Sequence, residues 1–344
     1  METSVKLLPV EENALARAVQ DGVPFCCRPF DELAGRLGLR SEDVLETLRA
    51  WSGERKLREI SAVLEGSLLG YESALCAATV AEPDLDRVVA VVNAHPTVTH
   101  NYERQHAYNL WFTIAVPHAM GLAETLARLE AQSGVRIFPA RRTRTFKIGV
   151  NFDLLSLESR TTAPESQGPE AAPLEPSARE ERLFRALQTP LPLVETPFAA
   201  LADMAECGEE ELLEFARRHL GGAIRRYVAT FRQRNLGVRG NAMVVWKVPD
   251  EELEHVGRRL AQAPEVSHCY AREKLPGFPY ALYSVVHGPD ETTCREIVSR
   301  LAAIVGTDDY DALVTKREFK KCRLRYFLPE LERWWTQNCR EVVA

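Results

Sequence analysis

Two short stretches carry the residues best suited to chemistry. His100, Tyr102 and Arg104 occupy every second position of THNYER, and His268, Tyr270 and Arg272 do the same in SHCYAR. On a β-strand this spacing puts all three side chains on one face. Imidazole gives and takes protons near neutral pH. Guanidinium stays protonated and orients carboxylates through its planar fork. Burying His, Tyr and Arg together is costly without partners, so such a face reads as the floor of a polar pocket. One such strand could simply be solvated; its recurrence favours a site.

Flat and basic residues lie close by. Tyr108, Trp111 and Phe112 follow the first set, and Phe278, Tyr280 and Tyr283 follow or flank the second. Part of these must be core, and the rest can sandwich a planar ligand. Basic candidates for binding a carboxylate-rich substrate are Arg58, Arg225, Arg226, Arg144, Arg317, Lys147 and Lys320, with Arg232 and Lys321 nearby. Arginine forks hold carboxylates bidentately. Flat aromatics, many arginines and histidines together suit a large planar polycarboxylate, such as a porphyrin-like molecule.

The elements that position these residues occur twice. LREISAVLEGSLLGY (57–71) aligns with IRRYVATFRQRNLGV (224–238), and PTVTHNYER (96–104) aligns with PEVSHCYAR (264–272). YNLW (108–111) then matches YALY (280–283), and RTFK (144–147) matches REFK (317–320). Four blocks in one order mark a tandem duplication. Each copy begins with three short helical patterns, near 9–20, 29–37 and 41–52, then near 178–188, 197–206 and 208–219. Ser41 reads as an N-cap. Wing-like strands follow at 57–70 and 224–237, then a βαββαβ order. The fold class expected is α+β: a tandem duplication of a helix-turn-helix domain plus a ferredoxin-like domain. The boundaries expected are 1–56 and 57–155 for copy one, a flexible linker at 156–178, 179–223 and 224–330 for copy two, and a C-terminal helix at 331–344. The linker segment is rich in proline and lacks aromatics. Two related sheets in one chain can face each other as an internal pseudo-dimer.

Composition narrows the function. With 49 acidic and 43 basic residues the net charge is -6, which weakens any general attraction to nucleic acid. The third helices are acidic, with Glu42, Asp43 and Glu46 in copy one and Glu209, Glu210, Glu211 and Glu214 in copy two. That face repels phosphate, so no specific DNA binding is expected. No apolar run reaches transmembrane length and no signal peptide is evident, so a cytoplasmic protein without membrane contact is expected. The eight cysteines form no CxxC pair and read as reduced thiols, with no metal site.

SHCYAREKLPGFPYALYSVVHG (267–288) and THNYERQHAYNLWF (99–112) resemble the two halves of siroheme decarboxylase, an Lrp/AsnC-like family that commonly works as two related subunits. The resemblance implies that both are fused here. It implies removal of carbon dioxide from two acetates of siroheme to give didecarboxysiroheme, which feeds heme-pathway enzymes. It implies no cofactor, since siroheme iron belongs to the substrate. One departure from the pattern is Ala281, where copy one has Asn109.

Losing carbon dioxide from a pyrrole acetate leaves a carbanion-like centre. Protonating the macrocycle supplies the electron sink, and a further proton makes the methyl group. A histidine is the natural acid. The expected catalytic set is therefore His100, His268, Tyr102, Tyr270, Arg104 and Arg272. Trp111, Tyr283, His106 and His287 join the basic residues above as substrate contacts, with His106 or His287 available as an iron ligand. Competing readings are an Lrp/AsnC-type ligand-sensing regulator and a non-catalytic heme-binding protein.

Overall fold

Helix starts follow local chemistry. Proline is the first residue of α1 (Pro9–Asp21) and α2 (Pro29–Leu37), where its missing N–H costs nothing. In α3 (Ser41–Gly53) the expected N-cap is corrected: Ser41 is the first helical residue and Arg40 occupies the cap, its guanidinium on Asp43 at 2.7 and 2.9 Å. The computed structural model describes residues 7–148, 151–152, 159–160, 173–232, 240–288 and 290–339. Most of the expected linker at 156–178, and the end of the second wing, lie outside the described residues.

The chain divides into two compact units. One holds α1 to α3, strand β1 (Leu57–Leu64), the short pair β6 (Asn151–Phe152) and β7 (Ser159–Arg160), helices α6 (Ala178–Leu187), α7 (Pro197–Ala205) and α8 (Glu209–His219), and strand β8 (Ile224–Phe231). Here a domain boundary moves. The wings do not open the sheets that follow them; β1 and β8 pair antiparallel with each other, Ser61 opposite Val228 and Ala62 opposite Tyr227. Residues 57–69 and 224–231 therefore belong with the helices.

The other unit contains β2 (Tyr71–Ala78), α4 (Leu85–Ala94), β3 (His100–Arg104), β4 (Leu110–Pro117), α5 (Leu122–Ser133) and β5 (Ile137–Ile148) from the first repeat. The second repeat supplies β9 (Gly240–Trp246), α9 (Leu253–Gln262), β10 (Val266–Arg272), β11 (Leu282–Gly288), α10 (Glu291–Val305) and β12 (Tyr310–Lys321), and α11 (Pro329–Cys339) ends the described chain. Gly134 and Gly306, at φ 74° and 79°, close α5 and α10 at matched places in the repeats.

The eight strands form one closed barrel in the order β10-β11-β9-β12-β3-β4-β2-β5. Both seams are inter-repeat: β10 pairs with β5, and β12 with β3. Closure leaves no strand edge in the barrel exposed to foreign pairing. The outer faces carry two matched apolar cores. Cys76, Phe112 and Ile114 pack with α4, α5 and Trp334, while Val244, Trp246 and Cys269 pack with α9 and α10. A third core fills the interior with Leu75, Trp111, Met243, Phe278, Tyr283 and Leu313. Glycine at 257 is required where α9 lies on β5, because a Cβ there would meet the Phe146 ring.

Candidate active site in the barrel

Alternation sorts the two polar strands. Asn101 donates to Asn93 of α4, and Cys269 and Ala271 sit in the core beneath α9, so these residues face outward. His100, Tyr102 and Arg104, and likewise His268, Tyr270 and Arg272, therefore face the barrel interior. The register agrees: Tyr102 lies opposite Trp111 and Tyr270 opposite Tyr283, both interior residues.

Each imidazole is oriented by the hydroxyl before it. Thr99 Oγ1 lies 3.1 Å from His100 Nδ1, and Ser267 Oγ lies 3.0 Å from His268 Nδ1. A register shift at Ser267, with Val266 opposite Val286 and His268 opposite Val285, re-aims the histidine. Ser267 spends its only proton on the Val285 carbonyl at 3.1 Å. With that proton committed, Ser267 Oγ can accept from His268 Nδ1–H.

The arginines tie the seams together. Arg104, 6% exposed, donates from Nη1 to the Leu313 carbonyl at 2.8 Å and to Thr315 Oγ1 at 2.7 Å, and its guanidinium lies 4.9 Å from the Tyr102 ring centroid. Arg272 donates to the Ala140 carbonyl at 3.0 Å and stacks on Tyr270 at 5.2 Å and Tyr283 at 5.7 Å. Neither has a carboxylate partner among the described residues, and the Nε of each is buried without an acceptor. Burial pushes Arg104 down to about 10 and lowers Arg272 in the same direction. An arriving anion would reverse both shifts.

Other expected contacts are corrected by the geometry. Arg144 pairs with Glu254, and Arg317 with Glu103 and Asp86, on the outer, helix-covered face. Lys147, 4% exposed, donates to the Ala263 carbonyl at 2.9 Å, and Lys320 donates to Asn93 at 2.9 Å. These matched lysines satisfy the carbonyl ends of α9 and α4, as cations at helix C-termini do. Trp111 is interior core, 1% exposed, its indole N–H on the Tyr108 carbonyl at 2.7 Å. Phe112 lies in the outer core. Tyr283 lies in the interior opposite Tyr270: it is buried, its hydroxyl has no partner, and burial raises its pKa.

His106 accepts the Tyr108 N–H at 2.9 Å and packs edge-on against Phe278 at 5.2 Å. The His287 side chain lies outside the described residues. Arg58, Arg225 and Arg226 belong to the β1–β8 ribbon of the helical unit, where Arg225 lies 3.6 Å from Glu65. Asn109 brackets Val80 with two 2.8 Å bonds, a structural pin that Ala281 does without.

Sequence reasoning missed Arg142. It lies directly opposite Arg272 and lines a pocket of about 160 Å³ with Thr99, Thr113, Tyr270, Arg272 and Leu324. That volume suits a substrate side chain, not a whole macrocycle. No cluster of metal-ligating side chains occurs among the described residues.

Barrel, paired helical units and cationic interior define an AsnC-like ligand-binding protein with helix-turn-helix domains. The AsnC-like ligand binding domain matches residues 68–147 and 235–320, and the siroheme decarboxylase NirDL-like HTH domain matches residues 12–58 and 180–225. The chain is 36% identical over 331 residues to a siroheme decarboxylase of Hydrogenobacter thermophilus, covering 95% of this chain and 98% of that one. It is 32% identical to the siroheme decarboxylase NirDL subunit of Paracoccus denitrificans, covering 83% and 87%. The crystal structure of the siroheme decarboxylase NirDL superposes with a TM-score of 0.77 at 32% identity, covering 96% and 98%. The crystal structure of the siroheme decarboxylase NirDL in co-complex with an iron-uroporphyrin III analogue gives 0.76 at 31%, covering 96% and 99%. The chain belongs to the siroheme decarboxylase family.

Proposed function

We propose that this chain is a carboxy-lyase that converts siroheme to didecarboxysiroheme, and that the inward strands β3 and β10 carry the chemistry. One observation supports the site above all: two largely buried guanidiniums, Arg104 and Arg272, share strand faces with the inward histidines and have no acidic partner among the described residues. A buried cation of this kind is costly until an anion arrives.

In this reading the arginines hold carboxylates that stay. A tight salt bridge to the departing carboxylate would stabilise the ground state and slow the reaction. A histidine donates a proton to the macrocycle, the acetate C–C bond breaks, and its electron pair flows into the ring. A further proton reaches the exocyclic carbon and completes the methyl group while the macrocycle gives its own proton back to the histidine. Each acetate thus gains one proton and releases one carbon dioxide. For His268, the Ser267 contact holds the ring through Nδ1.

The two repeats act as fused ferredoxin-like halves of a pseudo-dimer, with the substrate iron as part of siroheme and no separate cofactor. Among the described residues no helix is long and apolar enough to cross a membrane, which suits a cytoplasmic enzyme. Anaerobic incubation of the purified protein with siroheme, followed by mass spectrometry, tests the reading. Loss of two carbon dioxide units is expected. An unchanged mass with a shifted Soret band would make the protein a carrier instead.

A further inference from the structure

We infer that Arg142 is a carboxylate-binding residue, and that the two barrel seams are not equivalent: a substrate carboxylate docks at the β5–β10 seam, between Arg142 and Arg272. The inference rests on the reading of the chain as a siroheme decarboxylase, and names where in the barrel the anion sits.

The repeat places Thr315 where the first copy has Arg142, two residues before the matched Arg317 and Arg144. Register makes the comparison direct. Arg104 lies opposite Thr315 across the β3–β12 seam, and Arg272 lies opposite Arg142 across the β10–β5 seam. In the first seam Thr315 Oγ1 and the Leu313 carbonyl both accept from Arg104 Nη1, whereas in the second the Ala140 carbonyl alone accepts from Arg272. In the second seam the opposing residue is another guanidinium. Like charges directly opposite on antiparallel strands destabilise the pair. Among the described residues neither arginine is ion-paired, and Arg272 Nε is buried without an acceptor, so an anion between them would meet two guanidiniums.

The pocket at the second seam is also lined by Thr99 and Thr113, whose hydroxyls lie 3.0 Å apart. Thr99 is the residue that holds His100 Nδ1, so the same wall reaches an imidazole.

The test compares Arg142→Thr, Arg142→Lys and Arg144→Ala in the full chain. Arg144 is a neighbouring arginine of the same strand, ion-paired on the outer face. Iron-uroporphyrin III binding is followed by absorbance titration, siroheme turnover by mass spectrometry, and folding by thermal melting. Charge-assisted hydrogen bonds of this kind predict that Arg142→Thr weakens binding by about ten- to a hundredfold, that Arg142→Lys recovers part of it, and that Arg144→Ala binds as the parent does. Parental affinity in Arg142→Thr, or equal losses in Arg142→Thr and Arg144→Ala, would overturn the inference. Should the parent leave siroheme intact, the decarboxylase reading fails, while the titration still reports on Arg142.

Discussion

Arg104 reaches across the barrel seam to the carbonyl of Leu313, 2.8 Å away and on the last strand of the other repeat. Arg272 repeats the bond to Ala140, the matched residue of the first copy, at 3.0 Å. Closing the barrel and aiming the cations are therefore one structural act. Arg104→Ala should cost about 1.5–3 kcal/mol of stability, the range for hydrogen bonds made by a charged donor. Arg104→Lys keeps the charge but loses the fork, and should fall between. Urea midpoints of the two variants, at unchanged m-value, check the order.

Lys147 is expected to matter for stability and not for substrate. Removing its ammonium in Lys147→Met strands the Ala263 carbonyl at the end of α9, at a cost of about 1–3 kcal/mol. Iron-uroporphyrin III affinity of the folded variant should match the parent. A selective loss of affinity at parental melting temperature would return Lys147 to the binding site.

The helical triplets, the duplication and the inward His-Tyr-Arg faces were legible because they rest on periodicity and repetition. Side-chain direction on β5 and β12 was not. Strict alternation puts Arg142 and Arg144 on one face, but the register skips Thr143, so Arg142 meets Arg272 inside while Arg144 meets Ala271 outside. The register skips Phe146 as well, and Phe319 and Lys316 at the matched places of β12. A bulge is a property of the pairing, which the run RRTRTFK does not reveal. The β1–β8 ribbon was missed for a related reason: each wing is followed directly by its own sheet, and only tertiary structure shows that the wings pair with each other.

His95 gives the protein an acid-sensitive point behind the pocket, where its Nδ1 lies 3.1 Å from the hydroxyl of the pocket residue Thr97. Its ring is fully buried, packed edge-on against Trp334 at 4.3 Å, and burial, with Lys320 nearby, pushes its pKa from 6.5 down to about 3. Below pH 6.5 the unfolded chain binds a proton that the folded chain refuses. Stability contributed by the neutral ring is complete above that pH and falls on acidification through the window from 6.5 to 3, by at most about 1.4 kcal/mol per pH unit. His95→Asn should flatten the melting-temperature profile between pH 5 and 6.5. An unchanged slope would place the acid sensitivity in another group.

The central claim is that inward histidines protonate siroheme during decarboxylation, and rate measurement on the His100→Ala/His268→Ala double variant tests it most directly. Parent and variant are incubated anaerobically with siroheme and sampled by mass spectrometry, with bound siroheme followed by its absorbance. The account predicts that the parent releases two carbon dioxide units, and that the double variant still binds siroheme but turns it over at least about 10²-fold more slowly. Didecarboxysiroheme formed by the double variant at the parental rate would contradict it.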